Sequence, residues 1–144
     1  MKPPEEVKRE FLRQWLEKAE GDWSLSHRLL SDPEPPTEAI AFHAQQAVEK
    51  YLKAFLTWHQ VEFPKTHDIK RLLGLAGSCD QVLAESLSNA ASLTAYAVEY
   101  RYPGEYPSVT ADDAANAVML ADLARDQVRR RLPASKTGEE GNDC

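Results

Sequence analysis

Cysteine is nearly missing from this sequence. Only Cys79 and Cys144 occur, far apart and without a CxxC pair or a His/Cys cluster. Neither a zinc site nor a disulfide framework is expected from such usage, and it suits a reducing cytoplasm. Glycine-rich phosphate loops are missing as well. There is no GxGxxG and no GxxxxGK[ST], so the ready-made cradle of common nucleotide-binding α/β folds is excluded. No apolar run approaches the roughly 20 residues that cross a bilayer. The opening MKPPEEVKRE has no apolar centre and does not read as a signal peptide. Basic charge is not in excess either, since the net charge is -6 and the pI near 5.2. A general nucleic-acid coat needs a basic surface and is excluded, whereas a local basic site is not. Strand-like alternation and internal repeats are also lacking.

What remains is helical. The 144 residues suit one domain that can bury a core without metals or disulfides. An apolar stripe of Val7, Phe11, Trp15, Ala19 and Trp23 predicts a first helix over 5–30, entered through Pro3 and Pro4. SDPEPP at 31–36 stops it, because proline lacks the amide donor and clashes with the preceding turn. Ile40, Ala44, Ala47, Val48, Tyr51, Leu52 and Phe55 follow at 3.6-residue spacing. They predict a second helix, capped by Thr37 and ending near Gln60 before Phe63-Pro64. Thr66 is placed to cap a short third helix closed by Gly74 and Gly77. Ser78-Cys79-Asp80-Gln81 fits a capping box. A long fourth helix is then expected, with Leu83, Leu87, Ala90, Ala91, Thr94, Ala97 and Val98 inward and a stop near Arg101. Thr110 caps a fifth, whose stripe is Ala114, Ala117, Val118, Ala121, Ala124, Val128 and Leu132. The fold class expected is therefore all-α, an antiparallel up-and-down four-helix bundle with one additional short helix. The bundle spans 1–132, and 133–144 is a disordered tail without core-forming residues.

Three blocks, HAQQAVEKYLKAFL, FPKTHDIKRLL and LTAYAVEYRYPG, resemble the HEPN domain family of prokaryotic helical proteins in order and spacing. The resemblance implies a helical bundle that dimerises through its helices. It also implies a minimal nucleotidyltransferase as partner in a two-component or toxin–antitoxin-like pair, and binding of a nucleotide or RNA. One departure matters. The family's ribonucleases carry an Arg followed four to six residues later by His, and no Arg here has that spacing to His27, His43, His59 or His67. The reading is thus a binding and interaction module with no assigned catalytic residue. A divergent metal-independent endoribonuclease toxin, using Arg101 and His67, is the alternative.

The candidate sites carry two readings each. Lys65-Thr66-His67-Asp68 is either an anion-binding helix start or a cap in which His67 bonds a neighbouring helix. Arg101 and Tyr102, with Tyr100 and Tyr106 nearby, are a phosphate clamp with stacking rings or a helix stop with an ion pair. On the second helix, His43, Gln46, Lys50 and Lys53 partly share a face. They form a polar cleft wall or dimer interface, or else a solvated face with a Glu49–Lys53 pair. The arginines of the last helix, Arg125, Arg129, Arg130 and Arg131, are expected mainly to complement its dipole. The nucleotide- or phosphate-binding set is Lys50, Lys53, Lys65, His67, Arg101 and Tyr102, and His43 and Gln46 are assigned to a dimer or partner interface. His43 and His59 lie too far apart to share a metal, and neither metal nor cofactor is expected.

Overall fold

The computed structural model describes residues 4–97, 104 and 107–133. Among these every regular element is helical. Three helices are long: α1 (Glu5–Leu30), α2 (Thr37–Trp58) and, after two short ones, α5 (Ala111–Arg129). The short ones are α3 (Ile69–Gly77) and α4 (Gln81–Ser86), and a 3-10 helix (Ser88–Tyr96) follows α4. No described helix is long and apolar enough to cross a membrane.

α2 is the central helix, packed by α1, α3, α5 and the 3-10 segment. Fourteen of its 22 residues are buried, which is why its apolar positions run well beyond one stripe. Ala44, Val48, Leu52 and Phe55 join the main core with Leu72, Leu83, Leu87, Ala117 and Ala121. The ends of the long helices fix their directions. Leu12 of α1 packs on Ala54 and Trp58, whereas Leu29 and Leu30 pack beside Ile40, so α1 and α2 are antiparallel. Ile40 sits with Ala114 and Val118, and Leu132 packs near Trp58, so α5 runs parallel to α2 and antiparallel to α1. Alanines at 114, 117, 121 and 124, all buried, let α5 approach closely.

The expected fourth long helix is two short pieces. α4 ends at Ser86, and Leu87, Ala90 and Leu93 are then buried at a spacing of three. That spacing matches a 3-10 turn better than an α-turn. Ser86 and Ser92 also bond back to carbonyls three residues earlier, Leu83 and Asn89, and such side chains weaken a continuing α-helix. The α1 stripe is corrected too. Val7 and Phe11 are 37% and 50% exposed, whereas Lys8 is buried with its ammonium 3.9 Å from the Trp58 ring centre. A cation on an indole face substitutes there for an apolar contact.

Caps differ from expectation at three starts. α2 begins at Thr37 without a side-chain cap. Asp68, not Thr66, caps α3, and Thr66 instead accepts from the Asp68 amide. Asp80, not Ser78, caps α4 by accepting from Leu83, while Ser78 bonds back to Leu75. A carboxylate at the last position before the helix outcompetes the earlier hydroxyl in both cases. Thr110 does cap α5, in a reciprocal box with Asp113. Cys79 is disulfide-bonded, which its sequence context did not suggest. Val98, Arg101, Tyr102, Tyr106 and the 134–144 segment lie outside the described residues.

Two predictions follow from the ends of these helices. Gln60 closes α2 with φ of +56°, and Val61 N–H to Leu56 O with Gln60 N–H to Thr57 O completes the left-handed stop. The left-handed penalty of ~1–2 kcal/mol exceeds glycine's entropy cost of ~0.5–1 kcal/mol. Gln60→Gly should therefore raise Tm by about 1–4 °C in a thermal melt. Asp80 accepts from the Leu83 amide and pairs with Arg131 at 2.6 Å. The Leu83 amide first, and Arg131 second, hold its carboxyl below the ordinary 3.8. A depressed folded value stabilises above the unfolded value and fades as pH falls through it. The stability gap between the native chain and Asp80→Asn, measured by urea titration, should be full near neutrality and shrink below about pH 4.

Candidate functional site

Gln45, Glu49 and Lys53 recur every fourth residue on α2, so they stack on one face. That face is covered, and all three are buried. Buried charge is tolerated only when paired and hydrogen-bonded, and here each group serves the others. Lys53 Nζ donates to Glu49 Oε1 at 2.7 Å. Gln45 Nε2 and Gln46 Nε2 donate to Glu49 Oε2 at 3.1 and 3.3 Å. The Lys53 ammonium also lies 5.5 Å from the Trp15 ring centre and 6.0 Å from that of Phe63, so rings enclose the side it does not spend on Glu49.

The last partner of Glu49 comes from outside the helix. Nδ1 of His67 stands 3.0 Å from both carboxylate oxygens. The backbone is held as well, since Gln45 Nε2 donates to the His67 carbonyl at 3.3 Å. Local sequence explains the approach. Pro64 prevents α2 from resuming, Asp68 opens α3, and the Ile69 amide is fixed by Thr94 Oγ1 at 3.1 Å. The 61–68 segment is thereby anchored on α2 and on the 3-10 helix. Glu49 is 3% exposed in its side chain, His67 67%. The imidazole is held from below and open above, with the exposed Lys65 two residues away.

A second network lies on the α1 side of α2. Asp22 receives Lys50 Nζ at 2.5 Å and faces His43 Nδ1 at 2.9 Å. A third joins α1 to α5. Glu20 accepts from the Tyr51 hydroxyl at 3.0 Å, Arg125 Nε at 3.0 Å and Arg129 Nη1 at 2.7 Å. Burial, then the charge of Glu20, pushes the Tyr51 phenol up. Arg125 stacks 4.0 Å over the Trp23 ring centre, and the Trp23 indole donates to Asp122 at 2.7 Å. Two of the four C-terminal arginines thus hold α1 rather than chiefly complementing the α5 dipole, and Arg131 holds the start of α4.

The anticipated site residues are therefore divided. Lys53, Gln46 and His67 converge on Glu49, whereas Lys65 is exposed in the same loop as His67. Lys50 and His43 belong to the separate Asp22 network, and both α2 lysines already carry an internal carboxylate. Arg101 and Tyr102 lie outside the described residues. The Glu49–Lys53 pair is present as the spacing indicates, but it is buried rather than solvated. Glu49 and Asp22 are the organising groups that the sequence reading did not place in a site. A Gln–Glu–Lys line at i, i+4, i+8 was the available signal. Among the described residues no group of three His, Cys, Asp or Glu is arranged to hold a metal ion.

Removing one member of a buried pair leaves a charge without compensation, which costs about 3–5 kcal/mol. Glu49→Ala should destabilise by about that amount in urea unfolding. Glu49→Leu combined with Lys53→Met should recover most of the loss, because neither charge then remains.

Comparison with known proteins agrees with this architecture. No curated protein and no solved structure gives a match. The HEPN domain family matches residues 12–130, from the first buried leucine of α1 past the end of α5. With most of its length inside that match, and every described helix except the first seven residues of α1, the chain belongs to the HEPN domain family.

Proposed function

We propose that this protein is a HEPN-domain binding and interaction module, a homodimer that engages a minimal nucleotidyltransferase and binds a nucleotide or RNA where the 61–68 segment crosses the middle of α2. The observation that carries the ligand reading is His67, whose ring is anchored on buried Glu49 while most of it faces solvent, two residues along the loop from exposed Lys65. An oriented imidazole with a neighbouring ammonium suits a phosphate-bearing ligand. Arg101 and Tyr102 are assigned to the same ligand as phosphate and base contacts. Lys50 and Lys53 contribute by ordering the polar face of α2, since Asp22 and Glu49 hold their charges. The dimer reading draws on Met119 and Leu123, one turn apart and 59% and 37% exposed on the outer side of α5, an arrangement that suits helix-to-helix association. His43 and Gln46 are placed at the edge of the partner surface.

A second reading, a metal-independent endoribonuclease of a toxin–antitoxin pair, draws on the same geometry. A carboxylate behind an exposed imidazole is an arrangement used for proton transfer.

These readings separate experimentally. Lys65→Ala should weaken RNA binding and lower the salt slope by about one, measured by fluorescence anisotropy across ionic strength. Binding unaffected by Lys65→Ala and His67→Ala would remove the site. Met119→Glu with Leu123→Glu should shift the protein from dimer to monomer in light scattering, and a chain already monomeric at tens of micromolar would refute the dimer. Pull-down with the neighbouring nucleotidyltransferase tests the partner directly. RNA cleavage lost on His67→Ala would establish the enzyme reading in place of the binding module.

A further inference from the structure

We propose that Glu49 is a positioning residue that locks His67 as its Nδ1–H tautomer, so that the outward Nε2 accepts a hydrogen bond from a ribose hydroxyl of the ligand. This rests on the reading of the site as a nucleotide- or RNA-binding surface.

The tautomer follows from what surrounds Glu49. Its oxygens face only donors: the Lys53 ammonium and the amide groups of Gln45 and Gln46. A carboxylate in that setting accepts and has nothing to offer in return. The His67 nitrogen 3.0 Å from both oxygens must therefore carry the hydrogen. In a neutral imidazole the other nitrogen is then a lone-pair acceptor. Free rotation would scramble this assignment. Rotation is opposed because Nδ1 faces both oxygens of the Glu49 carboxylate at once, and because Gln45 holds the backbone carbonyl of His67 at 3.3 Å.

An acceptor at this place selects for a donor. Phosphate oxygens are acceptors and cannot satisfy a neutral Nε2. Lys65 lies two residues away, at most about 7 Å along the chain, and supplies the cation that a phosphate needs. The donor that lies beside a phosphate in every nucleotide of an RNA is the ribose 2′-hydroxyl, and DNA lacks it. The pairing of Lys65 with His67 therefore discriminates ribose from deoxyribose without reading the base.

Two measurements test this. The first is long-range 1H–15N correlation of the histidine side chains at about pH 8, above the ordinary histidine range. His67 should show the Nδ1–H pattern, the minor form of unrestrained imidazole. In the Glu49→Leu, Lys53→Met double variant it should revert to Nε2–H. Nε2–H in the native chain overturns the proposal, and this result needs no ligand and no variant to fold. The second compares a single-stranded RNA with the DNA of the same sequence. One lost hydrogen bond to a site that expects it predicts about ten-fold weaker binding of DNA. His67→Ala should bring the two within about two-fold, whereas Lys65→Ala should weaken both alike. Equal binding of RNA and DNA by the native chain overturns the ribose assignment. Binding of neither overturns the functional reading and the ribose assignment together, leaving the tautomer decided by the spectrum.

Discussion

Covering most of α2 is the constraint from which most of the structure follows. Once α1, α3, α5 and the 3-10 helix pack on it, the polar residues on its covered face can no longer turn to water. Gln45, Glu49 and Lys53 are buried among tyrosine, phenylalanine and leucine. Their free energy is tolerable only because they bond one another and because His67 arrives from the 61–68 segment. The same requirement that makes the line internally paired fixes where that segment must lie. A stability problem inside the core thus positions an exposed imidazole at its edge.

The remaining carboxylates act in the same way on the opposite flank. Asp22 draws His43 and Lys50 toward α1, and Glu20 draws Tyr51, Arg125 and Arg129 into one contact. The Asp22 pairs are largely shielded from water, whereas Arg129 stays about half exposed at Glu20, and both carboxylates join α1 to its neighbours. An acidic chain with net charge -6 keeps several of its basic groups occupied internally. Lys65, by contrast, is exposed and lies two residues before His67 in the loop. The electrostatic distinction between α2 lysines that order the fold and a loop lysine that faces solvent is the basis for locating ligand chemistry at the loop.

Much of the architecture was legible in the residues. α1 occupies the predicted 5–30, α2 stops before Phe63-Pro64, and the alanine stripe of α5 is buried as its spacing required. Family membership was legible from three blocks, and the family match covers 12–130. The failures have physical causes. Leu83, Leu87, Ala90 and Leu93 fit both a 3.6-residue and a 3-residue repeat at one end, and serine side chains tipped the balance to a 3-10 helix. Val7 and Phe11 share a stripe with Ala19 but stand exposed, while Lys8 packs on Trp58. Helical periodicity says which residues share a face, not whether another helix reaches that far.

For the candidate site the division is sharper. The sequence by itself determined that α2 is helical, that Glu49 and Lys53 can pair four residues apart, and that Pro64 stops the chain from continuing α2 before His67. Those are consequences of local geometry and backbone sterics, which act between near neighbours. Tertiary structure alone decided that the pair is buried, that Glu49 also takes His67, and that Lys50 turns to Asp22 instead. Those outcomes depend on which surfaces lose water when distant segments meet, and residues 18 and 28 positions apart become neighbours only through packing that no local pattern encodes.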